Sequence, residues 1–195
     1  MYQIKDFKNL LGLEGLSDTL LTNHFTLYEG YVNNTNKVAE KLEALLASDQ
    51  GATPEYAELK RRFGWEWNGM RLHELYFENL TKHSEHPEES ALSRKVIAQF
   101  GNAENWEKDF RATGAMRGIG WVILAYDMYT KKLVNVWINE HDGGHLAGTV
   151  PLLVMDVFEH AFMLDYGIKR ADYIETFFKS IDWKKVNERY DALAN

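Results

Sequence analysis

An apolar run that ends in an aspartate and a histidine constrains this chain more than any other feature. Residues 151–155 (PLLVM) are followed by Asp156 and, four positions later, by His160, with Glu159 directly before the histidine. The run predicts a buried strand that carries Asp156 at its end. Carboxylate and imidazole groups bind first-row metals, and a nearby acid can orient a ligating histidine. The alternative is an ordinary strand-to-helix junction with a capping aspartate and a solvated Glu-His pair.

The other histidines favour the metal site. Of the seven in the chain, His83 and His86 lie in a polar stretch that predicts a solvated linker. The remaining five lie inside or beside apolar, aromatic segments: His24, His73, His141, His145 and His160. A buried histidine must satisfy two ring nitrogens, so several of them in one core call for a shared partner such as a metal ion.

The composition excludes several classes of site and partner. There is no cysteine, which rules out disulfides, thiolate ligands, iron–sulfur clusters and cysteine nucleophiles. It also favours a reducing compartment or indifference to redox conditions. No segment is apolar enough to span a membrane, and residues 1–7 lack a signal peptide's apolar core, so we expect a cytoplasmic protein with no membrane partner. The net charge of -7 argues against nucleic acid as a partner. An anionic substrate would need a local positive field, such as that of a metal ion.

The first part of the chain predicts a long helical element. Apolar residues recur at helical spacing over residues 16–46, which favours one long helix or a helical hairpin. Ser17 or Asp18 offers the N-cap. Residues 49–54 (DQGATP) then predict a turn.

A second helix follows from about residue 56 to residue 80, and it carries His73 on its apolar face. Gly64 and Gly69 predict interruptions in it. Beyond it, the polar residues 81–90 predict a linker between two domains.

The second half mixes helices with a small sheet. Helices are predicted at 91–100, 102–116, 173–180 and 183–190, and strands at 121–126, 133–138 and 150–155. The predicted fold class is therefore α+β. An N-terminal helical hairpin domain, residues 1–84, would be followed by a C-terminal domain, residues 85–195, with helices around a three-stranded antiparallel sheet.

Side chains from both halves form a candidate metal site. His24 and His73 come from the two N-terminal helices, and Asp156 and His160 from the C-terminal half, with His141 in a nearby loop. Three imidazoles and one carboxylate suit iron, manganese or zinc better than calcium or magnesium. Spacing alone leaves the convergence of these segments a hypothesis.

Four short motifs in the order of the chain carry a resemblance to a known family. They are Tyr31–Asn34 (YVNN), Leu72–Phe77 (LHELYF), Gly118–Trp121 (GIGW) and Asp156–Ala161 (DVFEHA), with Asp165, Tyr166, Arg170, Tyr173, Asp182 and Trp183 downstream. Along essentially its whole length the chain resembles the iron/manganese superoxide dismutases. The resemblance implies conversion of superoxide to dioxygen and hydrogen peroxide by one-electron cycling of a single iron or manganese ion.

The resemblance also implies roles for individual residues. The metal ligands would be His24, His73, Asp156 and His160, with a solvent molecule in the fifth position. Tyr31 would gate the substrate funnel, and Trp121 would form an aromatic wall of the pocket. Glu159 would reach across a homodimer to a ligand histidine of the partner chain, and a tetramer stays open.

Many members of the family carry a glutamine that binds the metal-bound solvent. One of its two positions is Gly69 here, and the other is His141, so we expect His141 to replace the glutamine. Archaeal iron enzymes of the family have a similar loop histidine, which favours iron, while manganese or use of both metals stays open. His145 has no role in this scheme.

The chain also departs from the family pattern. His24 is one residue closer to Tyr31 than usual, which implies a deletion absorbed by a π-bulge or a register adjustment. The gateway pair of a histidine and a tyrosine is replaced by Tyr28 and Met163.

Two other functions remain open at this point. A metal-free scaffold of the same fold would explain the lost gateway pair, but it would leave the intact ligand set without a purpose. A non-haem iron oxygenase would use only His73, Asp156 and His160 as ligands, with His24 turned away.

Overall fold

The computed structural model describes residues 1–85 and 89–194. Two long helices, α1 (Asp18–Ala47) and α2 (Pro54–Glu78), pack against each other as the predicted hairpin. The prediction that residues 16–46 could themselves fold into a hairpin is wrong, because α1 is one continuous helix. Ser17 is its N-cap and accepts a hydrogen bond from the amide of Leu20.

α2 is also continuous, so the predicted interruptions at Gly64 and Gly69 do not occur. Thr53 caps the helix, and Pro54 occupies its first turn, where a missing amide proton costs nothing. A glycine inside a helix costs only about 1 kcal/mol relative to alanine, and packing against α1 easily outweighs that.

α1 shows how the short spacing between His24 and Tyr31 is accommodated. The helix has no π turn anywhere between Asp18 and Ala47. The seven residues from His24 to Tyr31 make about two α-helical turns, so both side chains lie on one face without a bulge.

The second half forms a three-stranded antiparallel sheet with helices packed around it. Its elements in chain order are α3 (Ala91–Phe100), α4 (Ala103–Gly114), β1 (Gly120–Asp127), β2 (Leu133–Asn139), β3 (Thr149–Asp156), α5 (Met163–Tyr166), α6 (Arg170–Lys179) and α7 (Trp183–Ala194). The predicted elements are all present with ends shifted by a few residues. The α+β fold class is confirmed.

β1 lies between β2 and β3, which makes it the central strand. Its residues are buried almost throughout, as expected for a strand covered on both faces. Trp121 on β1 pairs directly with Asp156 on β3, so the sheet register brings the predicted pocket wall beside the predicted ligand. No helix within the described ranges is long and apolar enough to cross a membrane.

Asn79 joins the ligand-bearing helix α2 to the ligand-bearing strand β3. Its buried amide donates to the carbonyl of Val154 (3.2 Å) and accepts from the amide of the same residue (3.0 Å). Arg189 on α7 adds a bond to the carbonyl of Leu152 (2.8 Å). These bonds satisfy backbone groups of Leu152 and Val154 at the edge of β3, where no further strand pairs within the described part of the chain.

Candidate metal centre

Four side chains from four elements converge on one site. They are His24 from α1, His73 from α2, Asp156 from the end of β3 and His160 from the 3-10 turn Glu159–Ala161, and one ligand atom from each lies within 4.8 Å of the others. Oδ2 of Asp156 lies 3.2 Å from Nε2 of His24, 3.2 Å from Nε2 of His160 and 3.7 Å from Nε2 of His73. These are the separations expected of ligands that share one ion at bond lengths of roughly 2 Å.

The tautomer of His73 shows that these four side chains fit a metal ion. Its Nδ1 lies 2.5 Å from the carbonyl oxygen of Gly69. A carbonyl only accepts, so Nδ1 carries the proton and Nε2 presents a lone pair to the site. That Nε2 is buried and has no hydrogen-bond partner, a costly arrangement that a bound cation would satisfy.

The electrostatics of the site also suit a cation. Burial lowers the pKa of His24 and of His73, so both rings are neutral and can coordinate. Burial works against the charge of Asp156, yet His160 and His24 hold the pKa of this carboxyl well below its usual range. Neutral imidazoles and an ionised carboxylate are the protonation states that metal binding requires.

Backbone and tyrosine contacts hold Asp156 in place. Its Oδ1 accepts from the amide of Phe158 (2.9 Å), which leaves Oδ2 turned to the histidines. Its carbonyl accepts from the hydroxyl of Tyr173 (2.7 Å), and that hydroxyl contacts the hydroxyl of Tyr76 (3.1 Å). The carboxylate is therefore oriented before any metal binds.

The structure brings Tyr31, His141 and Trp121 together beside the four ligands. Nε2 of His141 lies 2.7 Å from the hydroxyl oxygen of Tyr31, and Nδ1 of His141 lies 3.1 Å from Nε1 of Trp121. The ring of Tyr31 stacks on the ring of His73 with centroids 5.1 Å apart. Both nitrogens of His141 are thus bonded to protein, and its expected contact with metal-bound solvent stays a prediction.

Sequence reasoning missed Trp65. Its ring lies 4.5 Å from that of His141 and 5.5 Å from that of Tyr31, and its Nε1 donates to Glu140 (3.2 Å). Trp65 is eight residues before His73, about two helical turns, so helical periodicity places both on one face. That spacing was the available signal.

Two residues that the sequence analysis singled out, Glu159 and His145, lie at the surface. Glu159 is exposed, and its carboxylate makes no hydrogen bond or ion pair within residues 1–85 and 89–194. His145 is exposed as well, although its sequence context suggested a buried ring. Its Nε2 donates to the carbonyl oxygen of His141 (2.9 Å), so it contacts the loop backbone and stays outside the site. His83 is exposed, as the linker prediction requires, and His86 lies outside the described residues.

Tyr28, the residue expected at the gateway position, bonds through its hydroxyl to groups other than the four ligands. Its hydroxyl donates to Glu74 (3.1 Å) and accepts from the amide of Lys5 (3.1 Å). Glu74 is itself held by Arg71 (2.6 Å). Met163, at the other gateway position, is 45% exposed. The Tyr28 hydroxyl, which could have replaced the gateway histidine, is therefore hydrogen-bonded within a separate polar cluster.

Comparison with known proteins agrees with this geometry. The family model described as iron/manganese superoxide dismutases, C-terminal domain, matches residues 87–189. An iron superoxide dismutase of Aquifex pyrophilus is 36% identical over 192 residues, which cover 96% of this chain and 90% of the relative. A manganese superoxide dismutase of Haloferax volcanii is 35% identical, covering 90% of this chain and 87% of the relative. An iron superoxide dismutase of Cupriavidus metallidurans is 35% identical, and the match covers 92% of this chain and 91% of the relative. The chain belongs to the iron/manganese superoxide dismutase family.

Proposed function

We propose that this protein is a superoxide dismutase that converts two superoxide anions and two protons into dioxygen and hydrogen peroxide. The observation that carries the proposal is the convergence of three imidazole nitrogens on one carboxylate oxygen in a buried site. One bound iron or manganese ion would supply one-electron chemistry between its trivalent and divalent states.

The proposed ligands are His24, His73, Asp156 and His160. The unsatisfied Nε2 of His73 supports this assignment, because a metal-free site would bury that lone pair at a cost. A metal-free scaffold is therefore not supported. The oxygenase alternative is not supported either, since His24 points into the site with its Nε2 at 3.2 Å from Asp156.

Iron is the proposed metal, with manganese or use of both as alternatives. His141 supports iron only through its resemblance to loop histidines of archaeal iron enzymes. Relatives named for either metal match the chain at similar identity, so ligand type alone does not discriminate.

Tyr31, His141 and Trp121 would manage protons and shape the pocket. Tyr31 and His141 are hydrogen-bonded to each other at the edge of the ligand group, where a hydroxyl can donate to a reduced oxygen species. Trp121 is fully buried, and its ring lies edge-on to His73 at 4.9 Å, so it excludes water from that side.

Glu159 would join two copies of the chain. It is exposed beside the ligand His160, and the neighbouring Met163 and Leu164 are 45% and 58% exposed. A partner chain would cover this apolar surface and give the Glu159 carboxylate a partner. We therefore propose a homodimer, with a tetramer open.

Two further expectations stay predictions. We keep the proposed boundary between the two domains at residue 84, which leaves two of the four ligands in each domain. Residues 86–88, beside this boundary, lie outside the described part of the chain. A cytoplasmic location is supported by the absence of cysteine, which is compatible with a reducing compartment.

The test is superoxide dismutase activity of protein reconstituted separately with iron and with manganese, with bound metal and released peroxide quantified. Activity in one form identifies the metal, and activity in both identifies an enzyme that uses either. Bound metal without peroxide production contradicts the dismutase proposal, and no bound metal contradicts the ligand assignment.

A further inference from the structure

Both ring nitrogens of His141 have identified partners, and these partners have unequal chemistry. His141 is fully buried, and so is Trp121, whose Nε1 lies 3.1 Å from Nδ1 of the imidazole. On the other side, Nε2 of His141 lies 2.7 Å from the hydroxyl oxygen of Tyr31. A hydroxyl can donate or accept, whereas an indole nitrogen can only donate. The indole therefore decides the direction of the whole chain of bonds.

The donor-only indole requires Nδ1 of His141 to accept. A neutral imidazole has one proton, so that proton must be on Nε2. Nε2–H then donates to the oxygen of Tyr31. The doubly protonated ring would set an N–H against the indole N–H, and burial lowers the pKa of His141 to about 4, which also keeps the ring neutral.

We propose that Trp121 is a positioning residue that holds His141 in the Nε2–H tautomer, so that the Tyr31 hydroxyl proton is left free to face the pocket. The use of this proton in a reaction rests on the proposed dismutase function, whereas the tautomer itself follows from the hydrogen bonds alone. In the opposite tautomer, Nε2 would accept the Tyr31 proton and withdraw it from any substrate.

The single imidazole proton distinguishes this site from one built on glutamine. A primary amide has two N–H donors and can serve two acceptors at once. His141 has one N–H, and Tyr31 takes it. Tyr31 is then the group that can donate from this chain of bonds into the space beside His73, on which its ring is stacked. His141 would act through Tyr31.

The tautomer is directly measurable in metal-free protein. Imidazole nitrogens labelled with nitrogen-15 give two-bond proton correlations that separate the Nε2–H and Nδ1–H forms. We expect one Nε2–H pattern for His141 in the wild type at neutral pH, identified by its loss in His141→Gln. An Nδ1–H pattern in the wild type would overturn the proposal.

Three variants test whether Trp121 is the cause. In Trp121→Phe, which removes the donor but keeps an aromatic ring, we expect the single pattern to be lost to a mixture of tautomers. Tyr31→Phe should keep the Nε2–H form, because the indole is intact. Trp65→Phe is the matched control, since Trp65 contacts the His141 ring but donates its Nε1 proton to Glu140. A tautomer shift in Tyr31→Phe, or none in Trp121→Phe, would overturn the role of Trp121.

Activity measured on the same preparations separates this inference from the proposed function. If the metal-loaded wild type has no dismutase activity, the function fails while the tautomer result stands. If the wild type is active, Trp121→Phe should lower kcat and change its pH profile, and Trp65→Phe should leave the tautomer unchanged. Should Trp121→Phe not fold, the wild-type and Tyr31→Phe spectra still decide the proposal.

Discussion

The ring of Tyr31 packs directly on the α-carbon of Gly69. A β-carbon on Gly69 would lie 2.5 Å from Cδ1 of Tyr31, closer than real contacts allow. The absence of a side chain at this helical position therefore gives Tyr31 its place over His73. Gly69, where many family members carry the glutamine, is therefore the position that makes room for the ring of Tyr31.

Gly69→Ala should displace Tyr31 and break its bond to His141. We expect a large loss of dismutase activity and, because α2 and α1 cannot separate freely, a loss of about 1–3 kcal/mol in the free energy of unfolding. Denaturant titration and the superoxide assay measure the two effects. Gly64→Ala is the matched control in the same helix, with no atom within 4 Å of its added carbon. It should stabilise the protein by up to about 1 kcal/mol. If both variants behave alike, the contact with Tyr31 has no importance.

Removal of the metal should destabilise the protein. The site preorganises its ligands only in the folded state, so a metal at 1,000 times its Kd should add about 4 kcal/mol. Thermal unfolding with and without a chelator measures the difference. Asp156→Asn should abolish this stability difference. Glu104→Gln, a substitution at an exposed position on α4, should retain it. A chelator effect of equal size in Asp156→Asn would contradict the ligand assignment.

Metal-free protein should lose stability as the pH falls through the range set by His141. Burial lowers its pKa from 6.5 to about 4, so the unfolded chain binds the proton first and folding is opposed below pH 6.5. The loss should accumulate between pH 6.5 and about 4, and it corresponds to roughly 3 kcal/mol at most. Chemical denaturation across this range should show a shallower decline in His141→Gln. Parallel curves for the two proteins would show that His141 does not titrate as described.

Tyr28→Phe tests the lost gateway. Its hydroxyl donates to Glu74 and accepts from the amide of Lys5, and it contacts none of the four ligands, so the variant should lose about 1–3 kcal/mol of stability through two missing hydrogen bonds. The kcat should stay at the wild-type value. A kcat that falls with metal content unchanged would mean that Tyr28 takes part in the reaction.

Glu159→Gln should weaken the proposed homodimer. The carboxylate is exposed and has no partner within the described chain, and an amide would forfeit a charge-assisted bond across the interface. Analytical ultracentrifugation over a concentration series measures the dimer Kd. Glu43→Gln, exposed on α1, is the control. A dimer Kd equal to the wild type would remove Glu159 from the interface.

Much of the fold could be predicted from local patterns, because those patterns act over short distances. Ser17 and Thr53 cap their helices, and short runs rich in apolar residues form the three strands, since capping and strand formation depend on neighbours in the chain. Gly64 and Gly69 do not break α2, because helix propensity is a weak preference that tertiary packing overrides.

The sequence by itself determined which side chains can bind a metal: His24, His73, Asp156 and His160 have the right chemistry wherever they lie. Only the tertiary structure decided that their ligand atoms meet within 4.8 Å, that Trp65 covers His141, and that His145 stays at the surface. It also set the direction of the hydrogen bonds through His141. The convergence of the four ligands depends on the packing of α1 on α2 and on the register of β1 with β3, which join residues far apart in the chain and leave no local pattern.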